Sequence, residues 1–427
     1  MSFQGSTMAR LIQVAAAGLA LTVLAVPHAA AADRPPEILS WRHQILPAAR
    51  YSELAQQWER YAQERPGEAR AWVEWADALR YSGARDAANE AYTRAFAIDS
   101  ADAAAATAFA CIHVTGQLKE GSWKLGDRLL RRVVERHPDF ADAYYMLWVT
   151  ALRRGDEALA QQCLRRLVET GDMPRPLVDY GYNMLVGAPA NAIVLTNGDN
   201  DTYPPLAVQA LRDLRPDVAI VNLSLLNTEW YIRFQRDHGV PIPLTDKEIT
   251  GLQATPENLI ATQVVRALSD RLASQHGARP LRYAVTVPES SRKLPGRSVL
   301  EGLLVRIEPG APAEATHPDI DVAPTRELID SVYRIESATD PFIDWERESS
   351  VGNLMLNYAS LLMRLGEAPP APDAACDTGV YLYRAAEILA AHRPAGGEML
   401  EELLSSWAQV SPGSPWLERA RKLAAGH

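Results

Sequence analysis

With 427 residues, 47% of them hydrophobic, and a formal net charge of -10, the chain has room for two or three domains with ample cores. The acidic balance excludes a nucleic-acid partner, because phosphate binding needs a basic stripe and the sequence carries none. Cys111, Cys163 and Cys376 are widely spaced and odd in number, so neither a disulfide framework nor a zinc site is indicated.

The chain begins with Arg10, an apolar run from Leu11 to Val26, Pro27, and the small residues Ala29 to Ala32. That order predicts a secretory signal over residues 1–32, cleaved near Ala29 to Asp33, and hence a periplasmic protein. The run is short for a membrane span, so no transmembrane span is expected in the mature chain. No cysteine follows it, which argues against a lipid anchor.

Residues 38–172 carry a repeat. Trp72, Trp75, Ala76, Leu79, Gly83, Ala88, Tyr92 and Ala95 follow the spacing of the 34-residue tetratricopeptide pattern, with Ser100 where proline is usual. A second copy reads Tyr144, Leu147, Trp148, Ala151, Gly155, Ala160 and Leu164, with the bulky Trp148 where the pattern takes a small residue. Between them, Ala104 to Thr115 is helical in pattern, and Gly116 to Trp123 shifts the register. Stacked repeats of this kind either offer a concave face to a peptide or act as a spacer.

The next region, 178–345, reads as an α/β domain. Ile193 to Leu195 is an apolar strand, Pro204 and Pro205 stand where a helix begins, and Leu206 to Leu214 continues it. Arg215-Pro216-Asp217 ends that helix, and Val218 to Leu223 forms a second strand parallel to the first through a crossover. Thr255 to His276 reads as a helix, Leu281 to Val287 and Leu303 to Ile307 as strands, and Thr325 to Arg334 as a helix. Residues 346–427 are a helical tail with a linker at Ala368 to Ala375. The expected class is α/β plus all-α: a helical array, a small central α/β domain of four or so mainly parallel strands, and a helical tail.

One crossover brings Asn197, Asp199, Asp201 and Thr202 after the first strand beside Ser224, Asn227 and Thr228 after the second. Glu289, Ser290 and Lys293, in the loop after the third strand, extend the same carboxyl edge, where open α/β sheets bind ligands. Two readings of Asp199-Asn200-Asp201 stand. The carboxylates of Asp199 and Asp201 hold a divalent cation that bridges to a phosphate, since hard cations prefer oxygen ligands. Alternatively, Asn197-Gly198 makes a turn and Asp201 or Thr202 caps the following helix. Trp230 and Tyr231 read as core more readily than as a sugar platform.

The stretches TNGDNDTYP, RPDVAIVNLSLLNTEWYI, RPLRYAVTVPES and EGLLVRIEP, in this order, resemble the soluble C-terminal region of large bacterial membrane proteins related to protein O-mannosyltransferases, a glycosyltransferase-like family of unknown function. The resemblance covers about residues 178–366. Those relatives carry their presumed sugar-transfer chemistry in a multi-spanning membrane portion that this sequence does not show, so transferase activity is not implied. Leu206 and Ala207 replace an aromatic pair of the family, whereas Trp230 and Tyr231 match.

The expected function is binding or scaffolding in a cell-envelope process, with a protein or peptide as partner and a glycan as a further ligand class. The alternative is a metal-dependent enzyme acting on glycans or phosphate esters through Asp199 and Asp201.

Overall fold

A computed structural model describes residues 33–115, 121–256, 258–310, 319–368 and 378–426. The signal-peptide expectation over residues 1–32, Cys376 and most of the linker at 368–375 lie outside the described residues.

The N-terminal part is helical: α1 Ala48–Glu64, α2 Ala69–Tyr81, α3 Arg85–Ile98, α4 Ala103–Thr115, α5 Trp123–Arg136, α6 Asp142–Arg154, α7 Glu157–Glu169 and α8 Arg175–Gly187. The repeat signature falls on α2 and α3, which pack together. Its small residues Ala76, Ala88 and Ala95 are buried where large side chains would hold the helices apart. Gly83 and Gly155 occupy the turns after α2 and α6 with φ of 98° and 76°, a left-handed conformation that glycine adopts without a Cβ clash.

The middle is a six-stranded mixed sheet in the order β2-β1-β3-β5-β4-β6. Its strands are β1 Ile193–Thr196, β2 Ala219–Asn222, β3 Leu281–Ala284, β4 Arg297–Glu301, β5 Leu304–Glu308 and β6 Asp319–Ile320. β1 pairs in parallel with both β2 and β3, and β4 with β6, whereas β5 is antiparallel to β3 and β4. The sheet is thus larger and more mixed than the sequence pattern suggests. The reason is the β4–β5 hairpin, whose first strand, Arg-Ser-Val-Leu-Glu, follows directly on a polar loop and has only two apolar residues. Helices α9 Asp199–Arg212, α10 Glu229–Asp237, α11 Asp246–Gly251, α12 Ile260–Ala273 and α13 Val322–Glu327 surround it. The tail follows as α14 Ser349–Glu367, α15 Gly379–Ala391, α16 Arg393–Val410 and α17 Pro415–Ala424. Among the described residues no helix is long and apolar enough to cross a membrane.

Buried side chains form two clusters, one from Ile38 to Ala105 and the other from Ala106 to Ala420. The later helices of the array therefore share their core with the sheet. Trp148, the departure from the repeat pattern, explains how. Its indole and the ring of Tyr145 both meet the ring of Tyr203 on α9 edge to face, with centroids 5.0 and 4.8 Å apart. The oversized residue belongs to the joint with the α/β unit.

Pro204 and Pro205 lie inside α9 at its sixth and seventh residues, where α8 crosses closely. A Cβ on Gly181 of α8 would come within 2.5 Å of the Pro204 carbonyl carbon and 2.6 Å of the Pro205 nitrogen. Gly181→Ala is therefore expected to destabilise the fold by about 1–3 kcal/mol in chemical denaturation. A stabilisation of up to about 1 kcal/mol, as alanine's helix propensity alone would give, would show that the helices can separate freely.

Candidate functional site

The carboxyl edge of β1, β2 and β3 is built outward from the first turn of α9. Asp201 is 3% exposed. Its carboxylate accepts the backbone N–H groups of Asn197 at 2.7 Å and Gly198 at 2.8 Å, together with the hydroxyl of Thr286 just beyond β3. Burial raises its pKa above the ordinary aspartate value, against the lowering effect of these donors. Asp201 is thus the helix cap that one reading of the sequence anticipates.

Asp199 turns elsewhere. Its side chain is half exposed and lies 3.5 Å from the guanidinium of Arg42, a residue from the segment preceding α1. Asn200 donates to the Arg42 carbonyl at 2.8 Å and to the Ser350 hydroxyl of α14 at 3.2 Å. Among the described residues, no group of three or more histidine, cysteine or acidic side chains is placed to hold a metal ion.

The neighbouring polar side chains close on one another. Thr202 lies 2.6 Å from the Thr196 hydroxyl and accepts from Asn222 at 2.8 Å. Asn222 accepts the Leu225 N–H, and its own backbone N–H reaches the hydroxyl of buried Tyr231. Thr228 donates to the Leu225 carbonyl at 2.7 Å. Asn227 donates to the Leu223 carbonyl at 3.0 Å and accepts the Ala261 N–H at 3.1 Å, satisfying an amide at the start of α12. Tyr231 is core, while Trp230 is only partly buried.

Beside this network lies an open cavity of about 510 Å³. Of the residues singled out by sequence, Asn197, Ser224 and Asn227 line it, as do Ser290 and Lys293. Asp199, Asp201, Thr202 and Thr228 do not, and neither does Glu289, which opens the short helical turn Glu289–Ser291. The Ser224 hydroxyl donates to the Asn197 carbonyl at 3.2 Å, joining the two loops at the cavity wall. Arg266 of α12 and Tyr283 of β3 also line the cavity. Pattern reading missed them because they come from a helix face and a strand interior. Thr286 and Asn222 were missed likewise, since each looks locally like an ordinary strand-end residue.

Residues 177–250 match the family model for TMEM260-associated domain 2. Among curated proteins, the Protein O-mannosyl-transferase tmem260 of Dictyostelium discoideum is 34% identical over 53 residues, which is 12% of this chain and 6% of that protein. The chain therefore spans only a small part of that relative. The family match takes in the α8-β1-α9-β2-α10 unit and ends before α12, so Asn197, Ser224 and Asn227 fall within it, and Arg266 and Lys293 fall outside.

A second cluster sits where the array, α9 and α14 meet. Arg42 stacks on the Tyr145 ring, 3.8 Å from its centroid, and pairs with Asp142 and Asp199. His43 lies 3.2 Å from Asp172 and 3.0 Å from Glu348. Burial disfavours its charge, but the bonds to Asp172 and Glu348 prevail and raise its pKa to about 10. Cys111 and Cys163 are free thiols, and burial raises them to about 11 and 12, so neither is activated as a nucleophile.

Two outcomes follow. Asp201→Asn sets an amide NH₂ against groups that are themselves donors and is expected to cost about 1–3 kcal/mol. Asp199→Asn, at a half-exposed position, should cost less than about 1 kcal/mol. Urea denaturation of the two variants distinguishes them, and equal costs would count against the capping role. His43 has a folded pKa above its unfolded value near 6.5, so its stabilisation is complete below that pH and is lost as pH rises through about 10. His43→Gln should flatten the stability curve across that window, and an unaltered slope would dismiss the contact.

Proposed function

We propose that this chain is an exported binding or scaffolding protein of the cell envelope. In this reading tetratricopeptide-like helices carry an α/β unit, and a ligand enters at the carboxyl edge of its sheet. The observation that carries it is the division of labour at that edge. Asp201 is committed to two backbone amides and a hydroxyl, and Asp199 faces Arg42. The cavity alongside presents hydroxyl, carboxamide and cationic groups. Such a surface suits polar matter, a glycan included.

The array's concave side supports a scaffolding role over a peptide-capturing one. Ile38, Arg42 and His43 run along it, with the Ile38 N–H donating to buried Glu74 at 2.7 Å and Trp41 stacked on Tyr81 at 4.7 Å. The space a partner peptide would take is thus partly filled by the chain itself. The transferase name of the Dictyostelium relative belongs to a protein of which the similarity covers 6%, and mannosyl transfer is not carried over.

The test uses protein recovered from the periplasm, with the mass of a chain beginning between Ala29 and Asp33. Aryl phosphates and aryl glycosides should not turn over in the presence of Mg²⁺ or Mn²⁺, and Mg²⁺, Mn²⁺ or Ca²⁺ should leave the melting temperature unchanged. A cation that stabilised the fold by about 2.7 kcal/mol at a hundredfold excess over its Kd, and lost that effect in Asp199→Asn/Asp201→Asn, would overturn the binding reading in favour of the metal-dependent enzyme.

A further inference from the structure

Resting on the reading of this edge as a binding site, we propose that its cavity takes a phosphate monoester carried on an apolar body. At about 510 Å³ the cavity is of small-molecule size, within the usual range of about 300–1,000 Å³. Two of its lining residues are cations, Arg266 on α12 and Lys293 in the loop after β3, and both are exposed. Neither has a carboxylate partner among the described residues. Other arginines of the surface do meet a carboxylate, as Arg215 meets Asp217, Arg236 Asp246 and Arg297 Glu308. Two unpaired cations facing one cavity, in a protein of net charge -10, form a local field that favours an anion. No acidic side chain among the described residues lines the cavity to oppose it.

The remaining lining narrows the choice of anion. Ser290 and Ser291 adjoin Lys293 and supply neutral hydroxyl donors. A guanidinium fork, an ammonium and two hydroxyls exceed what the two oxygens of a carboxylate can take up, whereas a phosphoryl group offers three. Leu223, Val265 and Leu294 form an apolar wall that Leu259, 51% exposed, continues to the mouth. That wall would bury the apolar body of the ligand at about 25 cal/mol per Å². Arg266 and Lys293 lie outside the family match at 177–250, so the preference for an anion would belong to this chain rather than to the matched unit.

Isothermal titration of the purified full chain with hexyl phosphate, inorganic phosphate and hexyl glucoside tests the proposal, together with co-sedimentation on phosphatidic acid vesicles. Hexyl phosphate should bind at least tenfold more tightly than either control. Arg266→Gln/Lys293→Gln, at exposed positions, should weaken it at least tenfold without changing the melting temperature. Leu259→Asn should reduce hexyl phosphate affinity and leave inorganic phosphate unchanged. Binding of hexyl phosphate without vesicle binding assigns a soluble ligand, and binding to both assigns a lipid headgroup. Equal affinity of wild type and the double variant overturns the proposal, as does failure of both hexyl phosphate and vesicles to bind. A neutral glycan that bound while hexyl phosphate did not would overturn it and leave the binding reading intact. Release of inorganic phosphate from hexyl phosphate would instead overturn the binding reading.

Discussion

Successive side chains on an α-helix point about 100° apart, and the first turn of α9 uses that constraint to hold the molecule together. Asp199 faces Arg42 in the segment before the array. Asn200 reaches both that segment and Ser350 at the start of the C-terminal helices. Asp201 turns inward to the end of β1 and to Thr286 beyond β3. Residues two apart on a helix do not face each other, so the two carboxylates serve different neighbours. In an extended strand end they could have served one ligand. Because α9 begins at Asp199 and not at Pro204, the triplet works as a junction.

The segment Ile38 to Gln44 completes that junction from the other side. Its backbone and side chains are claimed in turn by the array, α9 and α14: Glu74 takes the Ile38 N–H, Asn200 the Arg42 carbonyl, and the Ser350 N–H the His43 carbonyl. Arg42 and His43 bring two cations among Asp142, Asp172, Asp199 and Glu348. Ion pairs at an exposed surface contribute little, but Arg42, His43, Asp172 and Glu348 are mostly buried, and Arg42, His43 and Asp172 each meet more than one partner. Their chief effect is orientation. They fix the helical array against the α/β unit through Tyr145 and Trp148, whose rings grip Tyr203.

Local pattern was a good guide wherever a contact is made within one element or between neighbours. The β1-α9-β2 unit, the helical pair α2 and α3, and the order of helices, sheet and helical tail are all legible from periodicity. What was not legible depends on long-range partners. The start of α9 was misplaced because two prolines look like a first turn. Asp201 and the cap it provides allow them to sit a turn and a half further in, against Gly181. β4 is mostly polar and β6 only two residues long; they become strands through the pairing of β4 with β5 and of β6 with β4. Thr286, Asn222 and Arg266 carry no local signal, since each matters through a neighbour supplied by another loop or helix.

The same distinction explains why the most conspicuous acidic motif and the cavity beside it are different places. A carboxylate close to free backbone amides at a strand end is drawn to them, because an unmet buried amide costs about 1–3 kcal/mol. Once satisfied, Asp201 is a structural anion rather than an open ligand. The groups left facing solvent at the edge are the Asn197 carboxamide, the hydroxyls of Ser290 and Ser291, and the cations of Arg266 and Lys293. The matched unit at 177–250 supplies the frame of the edge, and the later loop and helix supply its charge. A shared frame can thus serve different ligands as the residues around it change, and similarity in the frame alone carries little information about what is bound.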